Sequence, residues 1–229
     1  MDYQNFLIYL LFSALPIGIW LFVCLRLDRS APEPRSQIFR VFLLGALVTI
    51  PLMLITGNLT NWSEKNLLLG SFLAIFFSSF LIDGLFEEFG KYIVFRLGVY
   101  QIRHFNQVRD GFIYGMTLGL GFAFSENILY GFLSPNIWSG TSLILLRGLT
   151  TTLIHFLSGG IIGYYWALVK FNPKFSRYLS LKGLFLAFLL HGLYNTIVRF
   201  NWYWNIIPLG ILLIGVYIVV LRRIKRIPD

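Results

Sequence analysis

Apolar residues fall in seven blocks close to the length that crosses a bilayer as a helix, about 20 residues, and short polar stretches separate them. The pattern predicts helices over Tyr3–Leu25, Ile38–Thr56, Leu67–Phe95, Asp110–Leu133, Ser142–Val169, Gly183–Phe200 and Tyr203–Leu221. The fold class expected is therefore all-α, a polytopic transmembrane helical bundle that forms a single domain over residues 1–229. Met1-Asp2 brings no basic residue before the first block, and no small-residue cleavage site follows it, so that block reads as a retained helix and not as a signal peptide.

Composition supports lipid as the solvent: 57% of the 229 residues are hydrophobic and 13% charged, a balance that a soluble domain of this size could not cover with polar surface. The net charge of +9 lies between the blocks. Fifteen of the 19 Lys and Arg residues sit in the connections 26–40, 96–109 and 170–182 and in the tail from Arg222, whereas the opposite connections hold only Lys65 and Arg199. Basic loops stay in the cytoplasm, which predicts an outer N-terminus and a cytoplasmic C-terminus. Such loops also attract anionic lipid, and nucleic acid is not an expected partner. Cys24 is the single cysteine, so neither an intramolecular disulfide nor a thiolate zinc site is available. Trp62, Trp138, Trp202 and Trp204 lie near block ends, as interface anchors do. Gly111, Gly115 and Gly119 in the fourth block, with Gly121, and Gly159, Gly160 and Gly163 in the fifth suit close helix packing, a substrate groove being the sharper alternative.

Charge inside the blocks needs a reason, because each such residue costs at least about 2.5 kcal/mol in hydrocarbon. The third block carries Asp83, Glu87, Glu88 and Lys91, the fourth Glu126 and Asn127, the fifth Arg147 and His155, and the sixth His191 and Asn195. Glu87 and Lys91 are four apart and are expected to pair. Glu88 is turned by about 100° from Glu87, so the two carboxylates are not expected to point straight into one cleft. His191 and Asn195 share a face, which suits two donors converging on one oxygen. At about 1.5 Å rise per residue, Glu87 sits only about 12 Å above Phe95, too shallow to meet Glu126 unless the third helix continues past Arg96. It is expected to do so.

At these residues the chain resembles the PrsW family of bacterial intramembrane proteases, related to the CAAX prenyl endopeptidases and bacteriocin-processing enzymes. Four stretches carry the likeness: Glu87-Glu88-Phe-Gly-Lys91 as EExxK, Phe122-Ala-Phe-Ser-Glu126-Asn127 as FxxxEN, Arg147 through His155, and His191-Gly-Leu-Tyr-Asn195. They span the core from about residue 83 to 196. The resemblance implies endopeptidase cleavage of a membrane-anchored protein in the bacterial plasma membrane, the best-known substrate being an anti-sigma factor.

Peptide hydrolysis needs an activated water, a stabilised oxyanion and a proton for the leaving amine. The catalytic set expected is Glu87 as general base, held ionised by Lys91; His155 to hold the water or protonate the amine; His191 with Asn195 at the oxyanion; and Glu88 and Glu126 to orient them. No cofactor is expected in this route. The residues leave a zinc ion on Glu126, His155 and His191 open as an alternative; the metal-free route is preferred because no two histidines have the i, i+4 spacing of HExxH sites. A proton- or ion-coupled transporter lined by Glu87, Glu88, Lys91 and Glu126 is the alternative from another class, as is a noncatalytic receptor.

Overall fold

The computed structural model describes residues 3–27, 32–66 and 71–200, and beyond them only residues 210, 215 and 218. The predicted helix Tyr203–Leu221, with Trp202 and Trp204, thus lies almost wholly outside the described residues. Every regular element among the described residues is helical. Helix α1 spans Tyr3–Leu27 and α2 spans Arg35–Asn66. A continuous helical run follows, made of α3 (Ser71–Phe76), a π-helical stretch (Phe77–Leu85), α4 (Phe86–Val94) and a π-helical turn (Phe95–Val99). Then come α5 (Val108–Leu133), α6 (Ile137–Leu149), α7 (Thr151–Phe171), a 3₁₀ turn (Pro173–Phe175) and α8 (Ser176–Arg199).

Helix α5 is the axis of the bundle, packed against α7, α2, α1 and α6. Its sequence explains this. Gly111, Gly115 and Gly119 face α7 so closely that a Cβ on any of them would land on the carbonyl oxygen of Gly163, Gly159 or His155 respectively. Gly159 and Gly163 return the contact, and Gly121 meets the Phe42 carbonyl of α2 in the same manner. Backbones that approach this closely gain dispersion and weak Cα–H···O contacts, which drive association where lipid supplies no hydrophobic force. The glycines therefore build helix contacts and not a substrate groove.

Four described helices are long and apolar enough to cross a membrane: Tyr3–Arg26, Arg35–Ser63, Ile137–Phe171 and Ser176–Arg199. The third of these joins α6 to α7, and here the predicted block Ser142–Val169 needs correction. The helix starts earlier, at Ile137, and breaks at Thr150, where φ is −115° and ψ is −74°. Hydroxyl hydrogen bonds surround the break. Thr150 Oγ1 donates back to the Leu146 carbonyl at 3.0 Å, a bond that bends helices, while Tyr194 of α8 bonds both Thr150 and Thr151. Helix α2 also runs ten residues past the predicted Thr56, because helical bonding continues after the apolar block ends. Trp62 and Trp138 are exposed near the ends of α2 and α6, as interface anchors require.

The helical run bearing Glu87 continues past Arg96 to Val99, as the depth argument demanded. It is fixed there by Phe95 and Val99, both fully buried in the main apolar core. At the same end Asp110 starts α5 by accepting the backbone N–H groups of Asn106 and Gln107 at 2.8 and 2.7 Å. The consequence is register: Glu87, Glu126, His155 and His191 come together at one level of the bundle.

Candidate active site

Five helices deliver one buried polar cluster. Helix α4 supplies Glu87, Glu88 and Lys91, α5 supplies Glu126 and Asn127, α6 supplies Arg147, α7 supplies His155 and Ser158, and α8 supplies His191. Glu88, Lys91 and His155 are completely removed from the surface, and Glu87, Glu126 and His191 nearly so. Buried charge on this scale persists only when paired and hydrogen-bonded.

Lys91 does pair, but with Glu88 and not with Glu87 as the four-residue spacing suggested: Nζ lies 2.6 Å from Glu88 Oε1. Both i, i+3 and i, i+4 partners are open to a helical lysine, and the side on which α7 packs decides between them, since His155 Nδ1 takes the same ammonium at 2.7 Å. Glu88 Oε1 also accepts from Ser158 Oγ at 3.0 Å and from His191 Nδ1 at 2.7 Å. One oxygen thus ties α4, α7 and α8 together.

On its other edge His155 Nε2 meets Glu126 Oε2 at 2.6 Å, and Glu126 is paired with Arg147 at 2.8 Å. Arg147 also donates to Asn127 Oδ1 at 2.9 Å and covers the Tyr130 ring 4.0 Å from its centroid, while Asn127 donates to Thr152. The ammonium donates to Nδ1, so His155 is neutral with its proton on Nε2, an assignment made from these partners. Arg147→Met strands Glu126 in the interior and is expected to destabilise the fold by about 3–5 kcal/mol. Thermal unfolding in detergent checks this; a melting temperature equal to wild type contradicts it.

The remaining edge holds the unsatisfied chemistry. With a single ring proton assigned to Nδ1, which donates to Glu88, His191 turns the lone pair of Nε2 toward Glu87 Oε2, 3.8 Å away, so that both atoms are acceptors. Glu87 Oε2 is buried and has no hydrogen-bond partner. The charge count agrees: Lys91 answers Glu88 and Arg147 answers Glu126, which leaves Glu87 as the carboxylate of the cluster without a Lys or Arg partner. The offset of about 100° does not keep the two glutamates apart as expected: the His191 ring lies between them, and both reach it, one at each ring nitrogen.

A metal set on Glu126, His155 and His191 is not what the helices assemble, because Glu126 is spent on Arg147 and His155. The triad able to converge is Glu87, His155 and His191, whose ligand atoms lie within 4.8 Å of one another. Two imidazoles and a carboxylate are the right kinds of donor for zinc, which needs a free lone pair from each at about 2.0–2.2 Å. Glu87 and His191 have one to give; His155 does not, since Lys91 occupies Nδ1 and Nε2 carries the proton shared with Glu126. As arranged, these residues do not fit a zinc ion.

Asn195, one turn beyond His191 on α8, is half-buried and stands outside the hydrogen-bonded cluster. Asp83 is also separate: it pairs with Arg199 at 2.8 Å and accepts from Thr60 at 3.4 Å, tying α2, the third helical run and α8 together. Ser158 lies outside every stretch quoted above, and Thr152, inside the stretch from Arg147 to His155, had no role assigned to it. Ser158 is legible only as a polar residue one turn from His155 on a glycine-rich helix.

Comparison with known proteins identifies the assembly. Residues 33–222 match the family described as "PrsW family intramembrane metalloprotease". A "Protease PrsW" of Oceanobacillus iheyensis is 37% identical over 85% of this chain and 84% of its own length. The protein of the same name from Bacillus subtilis is 34% identical over 81% of each chain, and that of Clostridioides difficile 28% identical over 94% of this chain and 87% of its own. No solved structure gives a significant match. The quoted motifs, the spanning helices and these relatives agree that the chain belongs to the PrsW family of intramembrane proteases.

Proposed function

We propose that this protein is an endopeptidase of the bacterial plasma membrane that cuts a membrane-anchored protein by means of a water activated by Glu87. The observation that carries the reading is the facing pair Glu87 Oε2 and His191 Nε2, two buried acceptors 3.8 Å apart, one of them without any partner. A water molecule, which has two hydrogens to give, satisfies both. Deprotonation by Glu87 as it attacks the peptide carbonyl forms the C–O bond. Glu87 then passes that proton to the amine nitrogen as the C–N bond breaks, leaving a carboxylic acid and a free amine. Lys91 and Ser158 hold Glu88, Glu88 holds the His191 ring, and Glu126 with Arg147 holds His155. Asn195, outside the network and one turn from His191, keeps its amide for the developing oxyanion.

The chain crosses the membrane seven times in this reading, with its N-terminus outside and its C-terminus in the cytoplasm, following the basic loops. The substrate is a single-span protein, and an anti-sigma factor is the expectation that the family resemblance carries. Glu87 is 5% exposed, so a peptide reaches it only as the covering helices part. The test is purified protein in detergent incubated with a panel of single-span peptides and scored by mass spectrometry. A defined internal cut supports the proposal, and intact peptides throughout, with Asp83→Asn as a folded comparison, overturn it.

A further inference from the structure

Both imidazoles of the cluster are built as metal-binding histidines usually are. Each is held on its far nitrogen by a carboxylate, Glu126 on His155 and Glu88 on His191, the outer support that orients a ring toward an ion. A third donor, Glu87 Oε2, lies with them. One side chain spoils the site. Lys91 Nζ is 2.7 Å from His155 Nδ1 and 4.6 Å from the centre of the Phe122 ring, in complete burial.

We propose that Lys91 is the resident cation of this centre, and that its ammonium keeps zinc off the Glu87–His155–His191 triad by occupying the His155 lone pair. Charge supports the claim. Three carboxylates against Lys91 and Arg147 leave one negative charge. A dication added beside the ammonium would turn that into a net positive centre, with two cations a few ångströms apart in low dielectric. Without the ammonium the same carboxylates carry two unanswered charges, which one zinc ion cancels. Phe122 also lines the ammonium's position with its ring face, a surface that attracts a compact cation. The inference concerns the same residues as the proposed hydrolysis, but it is read by metal content and not by turnover.

The experiment uses the full chain in detergent, as wild type, Lys91→Gln and Lys91→Met. Each is loaded with zinc chloride, desalted and analysed for zinc per chain by mass spectrometry, and its melting temperature is recorded with and without zinc. Wild type is expected to retain far less than one equivalent and to melt at an unchanged temperature. The Lys91 variants are expected to retain a stoichiometric amount and to melt higher with zinc, and both gains should vanish when His155→Ala or Glu87→Gln is added. Lys91→Gln keeps an uncharged donor and carries the result if Lys91→Met folds only in zinc. Stoichiometric zinc in wild type that is lost in Glu87→Gln overturns the inference while leaving peptide hydrolysis at this site intact. Variants that fold yet retain no zinc overturn it equally. Uncut peptides with the expected zinc pattern would sink the hydrolase reading alone.

Discussion

Glu87→Gln is expected to slow cleavage of a single-span substrate by about 10²- to 10⁴-fold, the usual contribution of a positioned general base, while the melting temperature stays near wild type. The amide cannot accept the proton of the attacking water. It also gives up little structure, because Glu87 has no Lys or Arg partner and its Oε2 makes no hydrogen bond. Glu88→Gln offers the contrast. Its Oε1 receives Lys91, His191 and Ser158 together, and removing the charge leaves a buried ammonium unanswered, so activity and stability should fall together, the latter by about 3–5 kcal/mol. Quantitative mass spectrometry of the cut, run beside thermal unfolding of each variant, separates the two glutamates. Cleavage by Glu87→Gln within tenfold of wild type would remove Glu87 from the chemistry.

Gly119→Leu is expected to prevent accumulation of folded protein or to lower its stability by about 3 kcal/mol or more. Overpacking a core costs about 1–3 kcal/mol when side chains can yield; here the obstacle is the His155 carbonyl oxygen of α7, which cannot swing away. Any shift that relieves the clash carries His155 with it and so uncouples Glu126 from Lys91. Gly57→Ala is the control, since nothing lies within 4 Å of a Cβ there, and alanine is the better helix former by about 1 kcal/mol. Expression level and thermal unfolding in detergent provide the readout. A Gly119→Leu variant as stable as Gly57→Ala would mean that α5 and α7 do not meet as described.

The all-helical fold could be read from hydropathy because lipid demands long apolar runs, four of which the described residues bear out as helices able to span, and the continuation past Arg96 could be read from depth alone. The polar cluster was legible too, since Glu87, Glu126, His155 and His191 have no business in hydrocarbon unless they meet. What sequence spacing could not supply was partner choice. Lys91 stands at i+3 from Glu88 and i+4 from Glu87, and only the placement of His155 on a neighbouring helix selects Glu88. The break at Thr150 was hidden for a similar reason: Gly148, two residues before it, packs against Pro16 like the other interface glycines, and the hydroxyl that bonds Thr150 belongs to Tyr194, more than forty residues away. Asn195 shares a helix face with His191 yet stays out of the network, because a common face fixes direction but not reach.

Neither the run from Ser71 to Val99 nor α5 is among the four helices apolar enough to cross a bilayer unaided, although between them they carry Glu87, Glu88, Lys91 and Glu126. Each acid or lysine opposes spontaneous partitioning by about 2.5–3.5 kcal/mol at mid-helix. These segments therefore depend on company when they leave the translocon. Synthesis from the N-terminus places α1 and α2 in lipid first, and α2 already presents the Phe42 carbonyl and Gly45 against which α5 closes. The order of the chain thus gives the polar helices a surface to shelter on at the moment of insertion, so that biogenesis and catalysis make the same demand on the glycine seams.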